Sequence, residues 1–467
     1  MTEHNKKSGA RLDVAKLVFY TLTICFAVGL SFGIGLYSGV QQNALFLAVA
    51  SVRTAVLGAV STIWGEASTL TGTRPSHFLR PARDERRGVT VNHPQSDQTE
   101  LILVTGFFDD SNELRLMQRD GTPVSRWPIE YYSLFPDASF IRGATPPATN
   151  WNIDTHGVLA LEDGSIVFTF EMGGAAKLDS CGELVWTVPR RTHHAIDYAE
   201  GGGFWVAERR YVEEGPSTYP PYLPPYNEDF VIRVSDDGGV EAEFSAVRLF
   251  YDNGLEALLT SGQDFRRTKG WDLELIHLNS IDELTSDLAN DFPMFEAGDL
   301  LLSIRGKNLI IVTDSTGSTV KWWQIGPWLR QHSPEFRRGG KIVVFNNNAY
   351  RPAFDDDPNT LVPGWGRLAS NLIEIDPATD ELRVIYGGRE DQPLFTTLRG
   401  KLHSTPAGGF ILTEYEGGRI LEIAATGDLV WEFVNRYDED AVATVTDARV
   451  YPASYFEDVD WACHANQ

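Results

Sequence analysis

Histidine opens five successive stretches of this chain, at His156, His194, His277, His332 and His403, and each then runs through short apolar segments separated by turns. Segments of that length, punctuated by Gly-containing turns, read as strands rather than helices. In three stretches a later strand carries tryptophan, as Leu184-Val185-Trp186, Val320-Lys321-Trp322 and Leu429-Val430-Trp431. A repeat that restarts on the same polar residue predicts radial symmetry, because the equivalent inner strands of a β-propeller begin near its axis. The expected fold is therefore all-β, a six-bladed β-propeller whose axis gathers several imidazoles. A first blade without a histidine spans residues 101–129. The segment 448–452 supplies its missing strand, so both ends of the domain close the ring and protect its edges. Uneven spacing of the histidines implies insertions at 211–227, 250–269 and 350–368, and loops on a rigid scaffold commonly shape a binding mouth. Asp355-Asp356-Asp357 reads as a solvated acidic loop, since no spaced ligand pattern follows it.

Residues 17–40 carry no charge and are long enough, as a helix, to span a ~30 Å hydrocarbon layer. Lys6, Lys7, Arg11 and Lys16 precede them and no basic residue follows until Arg53, which places the N-terminus in the cytoplasm and the rest outside. No small-residue cleavage site follows, so the segment reads as an uncleaved anchor. Residues 44–64 are a second apolar stretch, either a second span or a stalk helix; the stalk is the simpler reading. The expected organisation is a cytoplasmic N-terminus (1–16), a transmembrane helix (17–40), a stalk helix and linker (41–98), the propeller (99–458) and a C-terminal tail (459–467). The expected location is the inner (cytoplasmic) membrane, single-pass, with the propeller facing the periplasm.

A net charge of −24 argues against nucleic acid, which needs a concentrated positive surface. It leaves room for a small anion held by one buried arginine. Of the three cysteines, Cys25 lies in the apolar helix, while Cys181 and Cys463 are far apart and by default unpaired, with a disulfide between them left open. No Cys/His zinc spacing occurs, and no metal or other cofactor is expected.

Four motifs resemble the bacterial aryl-sulfate sulfotransferases, six-bladed propeller enzymes that use no nucleotide sulfate donor. They are His193-His194-Ala195, then Ile276-His277-Leu278-Asn279-Ser280-Ile281, then Leu302-Ser303-Ile304-Arg305-Gly306-Lys307-Asn308, then Gln331-His332-Ser333-Pro334-Glu335-Phe336 followed by Lys341-Ile342-Val343-Val344-Phe345. Their order matches the family over roughly residues 158–437. Typical members continue the last motif with Phe-Asp-Asn-Gly, where this chain has Phe345-Asn346-Asn347-Asn348, so the role of that Asp is in question. The resemblance implies transfer of a sulfuryl group from a phenolic sulfate ester to a phenolic acceptor, through a sulfohistidine on His332. It implies Arg305 as the clamp on the sulfuryl oxygens, whose charge and fork suit an oxyanion. His277 would act as acid/base or oxygen ligand and Asn279 as amide donor, both facing one way if the strand is regular; His194 would complete the cradle.

Asn308, His403 and His156 are candidate substrate contacts, the two histidines by their repeat position alone. Period-two alternation turns His193 away from the face of His194. Two other readings stay open: a ligand-binding or scaffold propeller with an idle site, and a metal-dependent hydrolase using the histidine cluster.

Overall fold

The structure is a computed structural model and describes residues 14–41, 76–94, 96–142, 146–214, 219, 222, 224–260, 274–348, 361–362, 366–367, 369–387, 389–456, 459 and 461. The chain divides into two units, Met1–Arg74 and Pro75–Gln467. In the first, a helix covers Val14–Gln41. Its stretch Val18–Ser38 is long and apolar enough to cross a membrane, as an anchor or a signal sequence would be. The expected stalk at 44–64 lies outside the described residues.

The second unit is a six-bladed propeller. The second blade comprises Thr155–Ala160, Ile166–Phe170, Ala175–Leu178 and Leu184–Val188. The third runs Thr192–Tyr198, Phe204–Val212, Tyr226–Val234 and Val240–Ser245. The fourth runs Leu278–Glu283, Leu300–Ile304, Leu309–Thr313 and Val320–Ile325. The fifth runs His332–Arg337, Lys341–Asn346, Asn371–Asp376 and Glu381–Gly387, and the sixth Leu402–Ser404, Phe410–Glu414, Arg419–Ile423 and Leu429–Val434. The first blade closes the ring as expected. Val445–Tyr451 is its innermost strand, antiparallel to Leu101–Phe108, with Tyr451 opposite Leu101 and Val445 opposite Gly106. Gly88–Asn92 lies within the segment read as a linker, yet it adds a fifth strand to the sixth blade, with Asn92 opposite Trp431.

The second strand of each blade is buried on both faces, so it is largely apolar at consecutive positions instead of alternating with polar ones. In Leu300–Ile304, Leu300, Leu302 and Ile304 pack against the third blade while Leu301 packs against the fifth. One apolar cluster fills each interface between adjacent blades, including that between the sixth and first. The tryptophans serve this packing: Trp431 is fully buried between sixth and first blades, and its Nε1–H donates to the Arg119 carbonyl at 2.7 Å. Cys181 is disulfide-bonded and Cys25 is free, which corrects the default expectation of a thiol at 181; Cys463 lies outside the described residues, as do Asp355–Asp357.

Candidate active site

The innermost strands are irregular where they begin. Register shifts fall between Thr155 and Val158, His193 and Ile196, Leu278 and Ser280, and His332 and Glu335. His194, His277 and Ser333 have φ of 52°, 61° and 43°. A bulge inserts a residue, kinks the strand and re-aims its side chains. Here it brings histidines of four blades together. The His194 ring centroid lies 4.1 Å from that of His156, 5.0 Å from His277 and 6.0 Å from His332. His193 belongs to the same cluster, against the expectation from alternation, because the bulge breaks the two-residue period. Its Nδ1 is 3.1 Å from His194 Nδ1 and its Nε2 is 3.2 Å from Asp229 Oδ1.

The tautomer of His332 follows from its neighbours. Nδ1–H donates to Asn347 Oδ1 at 2.6 Å and faces the Arg330 carbonyl at 3.1 Å. Both partners are acceptors, so the proton sits on Nδ1 and Nε2 keeps its lone pair. Burial, and then the Arg305 charge, hold the His332 pKa well below the usual imidazole value, so the ring is neutral. The Asn346 position meets the hydrogen bonds an Asp would accept: its Oδ1 takes the amides of Leu329 (2.8 Å) and Asn348 (2.9 Å).

Arg305 begins a single 3-10 turn directly after the second strand of the fourth blade. Its amide donates to the His277 carbonyl and that of Gly306 to Ile276, both at 2.9 Å, so guanidinium and imidazole are fixed to one backbone patch. Among the described residues no carboxylate pairs with Arg305, and its Nε is buried without a partner. Burial and Arg330 lower its pKa to about 10, which still leaves it charged. Glu335 is occupied by His403 and Ser404.

Two carboxylates that sequence reading missed complete the cluster. Glu171, directly after the second strand of the second blade, places Oε2 2.6 Å from His156 Nδ1 and 3.6 Å from His194 Nδ1. The His194 amide donates to His156 Nδ1 at 3.3 Å. Burial and the nearby Arg399 push the His156 pKa down to about 4. Glu274 contacts His277 Nδ1 and also the Arg209 guanidinium; burial lowers the His277 pKa, only partly offset by Glu274. Lys401, also missed, reaches from the sixth blade to donate to the His194 carbonyl at 3.0 Å. Position was the available signal, since Glu171, Arg305 and Asn347 each directly follow the second strand of a blade.

Three candidates are placed differently from expectation. The Asn279 amide donates to the Gln331 carbonyl at 2.8 Å, holding the approach to His332, because the bulge removes the regular spacing that would align it with His277. Asn308 takes a left-handed turn, with φ of 52°, and its Oδ1 accepts the Arg330 amide at 2.8 Å. His403 is held between Glu335 and Asp447, each at 2.8 Å; burial opposes its charge, but the two carboxylates raise its pKa. Its inner strand pairs in register and lacks the bulge that re-aims the others.

Ligand atoms of His156, Glu171 and His194 lie within 4.8 Å of one another, near enough to share a cation. Two charges oppose a cation there: Arg305, which pairs with no carboxylate among the described residues, and Arg399, which lowers the His156 pKa.

The family profile described as Arylsulfotransferase (ASST) matches residues 157–436. No curated protein matches the chain in sequence. Among solved structures, a protein of unknown function from Bacteroides caccae is similar at 12% identity, covering 75% of this chain and 98% of that one, with a TM-score of 0.45. A catalytically inactive virginiamycin B lyase from Staphylococcus aureus with quinupristin is similar at 10% identity, covering 74% and 89%, with a TM-score of 0.36. Apo AztD from Citrobacter koseri is similar at 10% identity, covering 75% and 98%, with a TM-score of 0.34.

Proposed function

The chain belongs to the arylsulfotransferase (ASST) family, and from that premise we propose that it transfers a sulfuryl group from a phenolic sulfate ester to a phenol through a sulfohistidine on His332. The observation that carries this reading is a buried guanidinium, Arg305, with no carboxylate partner among the described residues, acting on a neutral imidazole whose proton sits on Nδ1 and whose Nε2 keeps its lone pair. In the first half-reaction the Nε2 lone pair forms a bond to sulfur as the bond from sulfur to the phenolic oxygen breaks, and the phenolate leaves with that electron pair. The adduct places positive charge on the ring and negative charge on the sulfuryl group. Asn347 Oδ1 and the Arg330 carbonyl stabilise that ring through Nδ1–H, while Arg305 stabilises the oxygens. His194 and His277 line the same space. Asn279 and Asn308 act through the backbone before His332, as positioning residues.

The test is incubation with 4-nitrophenyl sulfate and phenol, followed by mass spectrometry. Transfer with an acid-labile sulfuryl group on His332 supports the reading. Full transfer activity in His332→Ala sinks it.

The apolar helix would anchor the enzyme to the inner membrane with the propeller in the periplasm, a reading that rests on the basic residues before it. Protease accessibility of the propeller from the periplasmic side of spheroplasts tests it; protection there would overturn it.

A further inference from the structure

We infer that the Arg330 side chain receives a carboxylate carried by the aryl ring, so that the substrates are phenols bearing an acidic substituent and the sulfate esters of such phenols. The inference rests on the sulfuryl-transfer reading above and names the substrate class of that site. Arg330 stands two residues before His332, and its backbone is committed on both sides. Its amide donates to Asn308 Oδ1 at 2.8 Å, and its carbonyl faces His332 Nδ1 at 3.1 Å. The residues before it are tied down as well. Trp328 Nε1–H donates to the Asn308 carbonyl and the Leu329 amide to Asn346 Oδ1, both at 2.8 Å. With φ of 54°, Arg330 is held in a left-handed turn, so its long side chain leaves from a fixed point beside the nucleophile.

Arg305 hangs from the same anchor. The Asn308 amide donates to the Arg305 carbonyl at 3.2 Å, so Asn308 joins the backbones of both arginines. Arg305 has a buried Nε, whereas Arg330 is exposed, which makes Arg330 the outer of the two. Arg209 and Arg399, around the same cluster, each pair with an aspartate, at 2.8 and 2.5 Å, but among the described residues neither Arg305 nor Arg330 meets a carboxylate. The Arg330 charge is felt at Arg305, where it adds to burial in lowering the pKa. The chain carries 64 acidic and 40 basic side chains, so two mutually repelling cations without a counterion are a local reversal of its charge. Such a pair favours a ligand with two negative groups. One is the sulfate ester, on Arg305. The other is the ring substituent, on the outer Arg330.

Double displacement lets one ring site serve both substrates. His332 Nε2 attacks sulfur opposite the leaving phenolate. The acceptor oxygen then attacks opposite His332, from the position that the phenolate vacated. A carboxylate on either ring therefore meets the same guanidinium, whose fork matches its two oxygens.

The experiment compares acceptors of matched size, with 4-nitrophenyl sulfate as the common donor. 4-Hydroxyphenylacetate and 3-(4-hydroxyphenyl)propionate are set against their neutral amides, and tyramine supplies the cation. The readout is kcat/KM for the acceptor. The ratio of acid to amide is taken within each protein, so a general loss of activity cancels. Wild type is expected to favour at least one acid over its amide by about 10-fold and to disfavour tyramine. Arg330→Gln is expected to bring the ratio close to one, Arg330→Lys to keep part of it, and Arg330→Glu to turn the preference toward tyramine. Because Arg330 is exposed, raising the salt from about 50 to about 500 mM should shrink the wild-type preference. A wild type that favours neither acid, a preference that survives in Arg330→Gln, or one indifferent to salt would overturn the inference while leaving the sulfohistidine intact. A wild type with no nitrophenolate burst and no transfer to any acceptor removes the underlying reading as well. Thermal melting identifies a fold defect in a variant; the salt series on the wild type then decides.

Discussion

At the scale of single residues, the histidine cluster sets a charged group beside a neutral one. Burial penalises charge on both groups: Arg305 stays cationic because its lowered pKa, about 10, is still high, while burial and then the Arg305 charge keep His332 neutral. Arg305→Ala is predicted to cut the sulfuryl-transfer rate by about 100-fold or more, and Arg305→Lys to restore only part of it, because a point charge lacks the two-pronged geometry; initial rates at saturating donor decide. The depressed pKa of His332 predicts a sulfation step that is flat from about pH 6 to 8, in contrast with an ordinary histidine, whose nucleophilic form would be lost toward pH 6. Burst rates across that range check it. The same neutrality has a cost in stability. His156, with a pKa near 4 in the fold, takes a proton only after unfolding once the pH falls below about 6.5. The unfolded state then binds more protons, so this group's contribution to stability falls on acidification. His156→Gln should therefore lose less melting temperature between pH 7 and 5 than the wild type; an equal loss would contradict the assignment.

At the scale of elements, the bulges carry the site. A regular inner strand would send successive side chains to opposite faces, as His193 and His194 were expected to go. The shift in register puts both rings in the cluster, with φ of 52° at His194. Close backbone approach matters equally beside Arg305. A Cβ on Gly306 would stand 2.5 Å from the Ile276 carbonyl oxygen, so the backbone before His277 must move to admit it. Gly306→Ala is predicted to lower transfer by about 100-fold, the cost of misplacing reacting groups by an ångström or so, with a much smaller effect on thermal melting. An unaltered rate would show that the turn has slack. His403 illustrates the converse, since its strand has no bulge and its imidazole is spent on two carboxylates.

At the scale of the whole molecule, function depends on closing a ring. Val445–Tyr451 bonds to Leu101–Phe108 and completes the first blade, so removing residues 445–467 would expose an unpaired strand edge and one face of an interblade core. Such a truncation is predicted to aggregate instead of yielding monomeric propeller, as read by size-exclusion chromatography; a soluble monomer with intact cooperative melting would refute the closure argument. Much of this architecture was legible in the chain itself. Apolar runs of strand length, turns between them and a histidine at each restart determined the blade count, the order of blades and the strand returned from the C-terminus, because periodicity and turn chemistry are local properties. The motifs around His194, His277, Arg305 and His332 named the central groups for the same reason. Only the tertiary structure decided that His156 joins them and His403 does not, that Glu171, Glu274 and Lys401 complete the site, and that Asn279 and Asn308 serve the backbone. Those outcomes depend on strand bulges and on contacts between residues hundreds of positions apart, such as Lys401 with His194, which exist only once the last blade has met the first.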